Sequence, residues 1–369
     1  MKKISVNLII FFISILLFLF VDFFFGNLIL TKLNINRDNS FRISNNYYQH
    51  GFKKNYSTKN AYWGPYKYIF CSNHLGLRSN CSYLEKNKYD YAFIGDSQTE
   101  GVGLNYEDTI AGLFSDKTNK SVLNLGIVSA SPSIYFKRID YFLKQDVYFN
   151  ELFMFIDLSD IHDEIGYNEN LLNSENSYVC RNNLENKTIS EKEKKISIFK
   201  LKYILRDNFK ISYFILHTLW WKFNFKKTSK NYSLNYLDKD FYRSAWTYNS
   251  NLKEYRSPDC LEYLISSTKN VVENIYNLLN SKNINLSIIV APWPGTILHD
   301  KKNSKHVKIW EKFCNTRCKN FYNLFPYFFK HAKQNGPNKT IEQHFFKYDV
   351  HYNKYANNVI ANYLVDTLN

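Results

Sequence analysis

The chain opens on an almost unbroken apolar run and only later falls into alternation. Behind Met1-Lys2-Lys3 stands ISVNLIIFFISILLFLFVDFFFGNLIL, long enough as a helix to cross the roughly 30 Å hydrocarbon core of a bilayer. The run predicts a transmembrane anchor over residues 1–31. Lys2 and Lys3 favour a cytoplasmic amino terminus with the rest of the chain outside the cytoplasm, although Lys32 and Arg37 weaken the asymmetry. No small-x-small cleavage site follows, and the run exceeds the apolar part of a signal peptide, so a retained anchor is expected. Asp22 interrupts the run. A charge costs roughly 2.5–3.5 kcal/mol at a bilayer centre and less nearer an interface, so Asp22 is read as tolerated near the outer edge.

Residues 32–86 lose the pattern. They are rich in Asn, Tyr, Lys and Ser, include WGPY, and read as an extended, turn-rich extension. From Tyr89 onward apolar and amphipathic stretches alternate. YAFIGDS predicts a strand and turn, EDTIAGLFSDK a helix, SVLNLGIVSAS a second strand and turn, PSIYFKRIDYFLKQ a helix with Pro132 in its first turn, and ELFMFIDLSD a third strand. The rhythm breaks near residue 165. Residues 165–257 hold a polar loop, the charge run SEKEKK and the aromatic stretch ISIFKLKYILRDNFKISYFILHTLWWKFNF, and read as an insertion with one or two amphipathic helices. Lys and Arg beside Trp220, Trp221 and Phe223 suit a lipid surface, while packing on the main domain is the more ordinary use of such a helix.

Regularity returns with CLEYLISSTKNVVENIYNLLNSK as a helix, NLSIIVAPWPG as a strand and turn, HVKIWEKFCN as a helix and NFYNLFPYFF as a short strand or turn. The last piece, HFFKYDVHYNKYANNVIANYLVDTL, predicts a loop at 350–353 before a closing helix. Repeated βα units with apolar strands argue for one α/β domain over 87–369, its parallel sheet covered on both faces.

Composition adds compartment and partners. With 369 residues the chain can bury a substantial core, and a net charge of +15 points to anionic surfaces such as lipid headgroups or acidic glycans. Nucleic acid is disfavoured, because no zinc-finger spacing, aromatic RNA-binding motif or basic helix stands out. An exported chain meets oxidising conditions, so the 6 cysteines are read as disulfides. Pairs 71–81, 314–318 and 180–260 are the locally simplest, with free buried thiols or a metal site as alternatives. No cofactor is expected: GDSQTEGVG lacks the Lys-Ser or Lys-Thr of a phosphate loop. His162-Asp163-Glu164 is a poor metal set, since consecutive side chains diverge.

Ser97 would stand just beyond a strand end, where parallel sheets hold their chemistry. A serine nucleophile needs a base within hydrogen-bond reach and a third group to orient that base. Asp349 and His351, in YDVHYN before the last helix, can fold back over the same edge. Each also has a plainer reading: Ser97 as a helix cap, Asp349 and His351 as surface-turn residues. Trp293, in APWPG on the same edge, would line an acyl or sugar pocket or plug the core.

Taken together, GDSQTEG after an apolar strand, the glycine of NLGIVSAS and D-V-H-Y-N before the last helix resemble the SGNH/GDSL hydrolase superfamily over about residues 87–369. The resemblance implies a flavodoxin-like three-layer α/β/α fold. It implies Ser97 as nucleophile and oxyanion donor, Gly126 as a second donor, His351 as general base and Asp349 as its partner. Two positions depart from the family pattern. In FIDLSD, Ser159 stands where an asparagine would supply a third donor, followed by Asp160, which would oppose an oxyanion if ionised and aimed inward. The D-x-H spacing replaces D-x-x-H and resembles SGNH-like proteins that move acetyl groups on exported polysaccharides. The implied function is a membrane-anchored esterase acting on O-acyl, above all O-acetyl, groups of an exported or cell-surface glycan. An O-acyltransferase with a membrane acyl-donor partner, and a catalytically silent scaffold, are the alternatives.

Overall fold

The computed structural model describes residues 2–33, 37–167, 208–216, 218–219, 243–249 and 258–368. The chain divides into two units, Met1–Arg37 with Asn182–Asn235, and Asp38–Arg181 with Tyr236–Asn369. The SEKEKK run, Cys180, Trp220, Trp221 and Phe223 lie outside the described residues.

In the first unit a single helix, α1 (Lys2–Lys32), carries the apolar run. Its segment Val6–Lys32 is long and apolar enough to cross a membrane. Most of its side chains are exposed, but Asp22, Gly26 and Leu30 are buried, a stripe at four-residue spacing that marks a helix contact. Residues 210–216 and 218–219 are helical, and the first of them meet that stripe. Ile211 and Ser212 donate their backbone N–H groups to Asp22 Oδ1 and Oδ2 at 2.7 and 2.8 Å. Asp22 therefore has specific partners and is not simply a tolerated charge.

The second unit is built on a five-stranded parallel sheet. Its strands are β5 (Lys88–Ile94), β6 (Val122–Asn124), β7 (Tyr148–Phe155), β8 (Asn285–Val290) and β9 (Asn320–Asn323), in the order β6-β5-β7-β8-β9. All four pairings are parallel. This is the flavodoxin-like order, in which the chain leaves β5 in opposite directions and opens a crevice at the carboxyl ends of β5 and β7.

Alternation along each strand sends side chains to two faces. Phe93 stands opposite Phe153 in register, and the two rings stack at 4.9 Å under Phe114 of α3 (Ile110–Thr118). The closing helix Lys354–Asp366 packs beside α3. Ala92, Ile94, Leu152 and Met154 join a buried cluster with Ile139 of α4 (Pro132–Leu143), Val272 and Ile275 of the helix Pro258–Asn280, and Trp310 of the helix Lys305–Cys314. The sheet is thus covered by helices on both faces, the three-layer α/β arrangement.

Residues 38–86 are less extended than their composition suggests. They form two antiparallel hairpins, β1 (Arg42–Asn45) with β2 (Gln49–Phe52) and β3 (Ser57–Trp63) with β4 (Tyr66–Cys71). Phe41, Phe52, Tyr68 and Phe70 are buried in the same cluster as the sheet residues. Disulfides link Cys71 to Cys81 and Cys314 to Cys318. Cys260 is also disulfide-bonded, and the expected pairing with Cys180 falls outside the described residues. After β9 the chain turns helical at Phe325–Asn335, where NFYNLFPYFF had suggested only a strand or turn; Pro326 fits the first turn, which needs no N–H from it.

His306 provides a test of this core. It is fully buried, its Nε2 bonds Ile156 O at 3.1 Å, and its Nδ1 has no partner among the described residues. Burial pushes its pKa down to about 3, against a weaker opposite pull from Ile156 O. Its contribution is therefore complete above the unfolded value near 6.5 and lost as pH falls towards 3, at roughly 1.4 kcal/mol per pH unit. Urea unfolding across that window should show a steeper loss of stability in the wild type than in His306→Gln. Equal slopes would reject the assignment.

Candidate active site

β5 ends at Ile94, and the chain turns at once into a short helix, α2 (Ser97–Glu100). Asp96 caps it, its Oδ1 accepting the Gln98 N–H at 3.0 Å. Gly95 is required by space: a Cβ there would lie 2.2 Å from Thr99 Oγ1 and 3.0 Å from Phe155 O. Gly101, at φ +72°, closes the helix in the left-handed region. GDS-x-x-x-G is thus a strand-to-helix elbow that lifts Ser97 above the β5–β7 edge.

The histidine comes from the other end of the chain. Residues 345–353 form a loop closed by bonds from Phe346 N to His351 O and from Asp349 N to Phe346 O, with Tyr348 at φ +60°. Asn353 caps the closing helix through Ala356 N. Gln98 ties this loop to the elbow: its amide donates to Val350 O at 2.9 Å and accepts from Tyr352 N at 3.0 Å, one residue either side of His351. Tyr352 is further held by a bond from its hydroxyl to Pro292 O.

A hydrogen-bonded series results. Ser97 Oγ lies 2.7 Å from His351 Nε2, and His351 Nδ1 lies 2.6 Å from Asp349 Oδ1. Asp349 Oδ2 accepts the indole N–H of Trp63 at 2.7 Å, and the Trp63 ring meets the imidazole edge-on with centroids 4.8 Å apart. Trp63 ends β3, and its hairpin partner Tyr66 accepts Lys347 N through its hydroxyl at 2.9 Å. The WGPY turn therefore braces the loop that carries the acid and the base. Ser97 is 6% and His351 8% exposed, so the series is nearly closed to bulk water.

Burial alone would raise the Asp349 carboxyl; the charge of His351 and the hydrogen bonds from His351 and Trp63 outweigh it and hold Asp349 below the usual carboxylate range. Asp349 is therefore built to stay ionised beneath an imidazolium. Behind the elbow three other acids behave oppositely. Asp96, Asp157 and Asp160 are buried, which raises all three, Asp157 and Asp160 well above the usual range with the help of Asp96's charge. Ser97 Oγ also lies 3.1 Å from Asp96 Oδ2, so the Asp96 carboxyl and His351 Nε2 are alternative acceptors for the hydroxyl proton.

The remaining residues singled out in the sequence fare differently. The Gly126 N–H, expected as a second oxyanion donor, donates to Asn124 Oδ1 at 2.9 Å. The glycine is needed for close approach, since a Cβ there would sit 2.4 Å from Glu100 N and 2.6 Å from Thr99 C. Ser159 is buried, its hydroxyl without a partner among the described residues and its N–H 3.4 Å from Asp157 Oδ1. Asp160 is held by Tyr135 Oη–H at 2.9 Å and by Asp157 N–H at 3.0 Å. Trp293 plugs a cluster with Leu158, Trp246 and Val350. In HDE, Glu164 turns away to Ser133, while Asp163 pairs with Arg243 and lies 3.5 Å from His162 Nδ1. Sequence reasoning missed Trp63 and Gln98 as site residues; WGPY, a turn with an indole at its edge, was the available signal for the first.

No protein-family model matches the sequence, and no curated protein matches it. Among solved structures the chain is similar to a psychrotrophic esterase from Pseudoalteromonas sp., in a structure inhibited by monoethylphosphonate. The two are 11% identical with a TM-score of 0.34, over 77% of this chain and 97% of that one. A likeness this slight says nothing of the chemistry at Ser97.

Proposed function

We propose that this chain is a membrane-anchored serine ester hydrolase of the SGNH/GDSL type, removing O-acyl groups, chiefly O-acetyl, from an exported or cell-surface glycan. The observation that carries the reading is the Ser97–His351–Asp349 series at the crevice of a flavodoxin-ordered sheet. Ser97 Oγ attacks the ester carbonyl while His351 Nε2 takes its proton. Asp349 stabilises the imidazolium. The Ser97 backbone N–H, at the start of α2 and without a partner among the described residues, is the first oxyanion donor. A second is sought in the loop after β6, where Ser129 stands at φ +57° with its own N–H unpartnered among the described residues. Each such donor is worth roughly 2.7–4 kcal/mol in acyl transfer. His351 then protonates the leaving sugar hydroxyl, and water, activated by the same imidazole, frees the acid from the acyl-serine.

The glycan reading is supported by the apolar helix α1, long enough to cross a membrane, and by the net charge of +15, which suits an acidic polymer. Fluorophosphonate labelling of the full chain in detergent is the test, followed by release of acetate from O-acetylated polysaccharides. Labelling with acetate release supports the hydrolase. Acetyl transfer to a sugar hydroxyl in place of water would convert the assignment to an O-acyltransferase. A folded wild type that never labels would end the serine-ester reading.

A further inference from the structure

The described part of the insertion between β7 and β8 at residues 208–216 and 218–219 has an unusual neighbour. Asp22, only 1% exposed, sits roughly 15 Å along the α1 axis from Lys32 at 1.5 Å per residue. If Val6–Lys32 spans a bilayer, this carboxylate is within the hydrocarbon region. There it meets the N–H groups of Ile211 and Ser212, at the start of a second helix. The first N–H groups of a helix lack intrahelical acceptors, and in hydrocarbon neither they nor a carboxylate finds water. Each group removes the other's penalty, and the carboxylate lies at the favourable, positive end of the helix.

The local packing suits that depth. A Cβ on Gly26 would meet Asp22 Oδ1 at 2.3 Å and Ile211 Cγ1 at 3.6 Å, so glycine opens the notch through which Asp22 reaches across. Phe23 and Phe209 pair with ring centroids 5.8 Å apart. Lys210 sends its ammonium to Asn27 Oδ1 at 2.9 Å, one turn nearer the Lys32 end than Asp22, as a lysine does when it reaches from an apolar layer towards an interface. The stripe of Asp22, Gly26 and Leu30 is the contact seam, while Phe20, Phe23, Phe24 and Phe25 stay exposed as they would to acyl chains. The second helix shows the same division. Ile215, Leu216 and Leu219, 43%, 54% and 43% exposed, give it an exposed apolar face.

We propose that residues 208–219 are a second membrane-embedded element, docked on α1 through Asp22, with lipid acyl chains against Ile215, Leu216 and Leu219. The proposal rests on α1 being a membrane span. It gives the insertion a purpose: the chain returns to the bilayer after β7, so the exported body is tied to the membrane at two points.

The test uses the full chain in phosphatidylcholine nanodiscs. Among the described residues no cysteine is free, so an environment-sensitive thiol probe reports one introduced position at a time. Leu16→Cys reports α1, Leu216→Cys and Ile215→Cys report the second helix, and Leu84→Cys, 77% exposed on the body, reports water. Doxyl-labelled phosphatidylcholine should quench probes at 16, 215 and 216 several-fold more than the probe at 84, and Asp22→Ala should weaken quenching at 215 and 216 while leaving 16 unchanged. Quenching at 16 with water-like behaviour at 215 and 216 would overturn the proposal alone. So would shielding of 215 and 216 from both lipid and aqueous iodide, which would mean a protein partner. No quenching at 16 would overturn the span and the proposal together.

Discussion

Ser97→Ala should lower kcat for acetyl-ester hydrolysis by about 10⁶-fold, the scale on which loss of the nucleophile disables serine hydrolase triads. The expectation is this large because the three groups act as a unit. Among the described residues Ser97 Oγ bonds only His351 Nε2 and Asp96 Oδ2, neither of which needs the serine for its place in the fold. Alanine is also well tolerated at a first helical position, and thermal stability should barely change. Paired kinetics and melting curves make the check. A stable variant that keeps a substantial share of its turnover would show that Ser97 is a helix-start residue and nothing more.

Asp349→Asn should cost about 10⁴-fold in kcat with KM little altered, the size of effect seen when a triad carboxylate becomes an amide. The mechanism is a tautomer error. Asp349 Oδ1 now accepts from His351 Nδ1–H, leaving Nε2 free to receive the serine proton. An amide that turns its NH2 towards Nδ1, leaving its oxygen to Trp63, forces the proton onto Nε2, where it opposes Ser97. The loss should appear at the pH of maximal activity, because Asp349 is held below the usual carboxylate range and is ionised there. Steady-state kinetics on the variant are decisive: a loss of less than about ten-fold, one pKa unit's worth of free energy, would remove Asp349 from the relay.

The supporting shell explains how the site is held. Gln98 grips the backbone on both sides of His351, and Trp63 holds the far oxygen of Asp349. Both are positioning residues, acting through the imidazole and the carboxylate. The hairpin residues of 38–86 thus contribute to the site as well as to the core, which is why a segment that reads as a lead-in packs as part of the body.

Much of this was fixed by local pattern. The apolar run of α1, the βα rhythm from Tyr89, and the strand–turn–helix elbow at GDS are set by residues within a few positions of one another: side-chain alternation, glycines where a Cβ has no room, and caps at helix starts. Two of the three disulfide expectations were likewise local, joining cysteines 10 and 4 positions apart. Even the pairing of the elbow with D-V-H was legible once strand order placed both at one sheet edge. What only the tertiary structure decided is the direction of individual groups across long separations. Trp63 meets Asp349 286 residues away, the Gly126 N–H turns to Asn124, and Asp22 finds the start of a helix 189 residues downstream. No periodicity encodes these contacts. Each depends on where two distant backbones come to rest, and buried polar groups then take the partner that closure brings within reach.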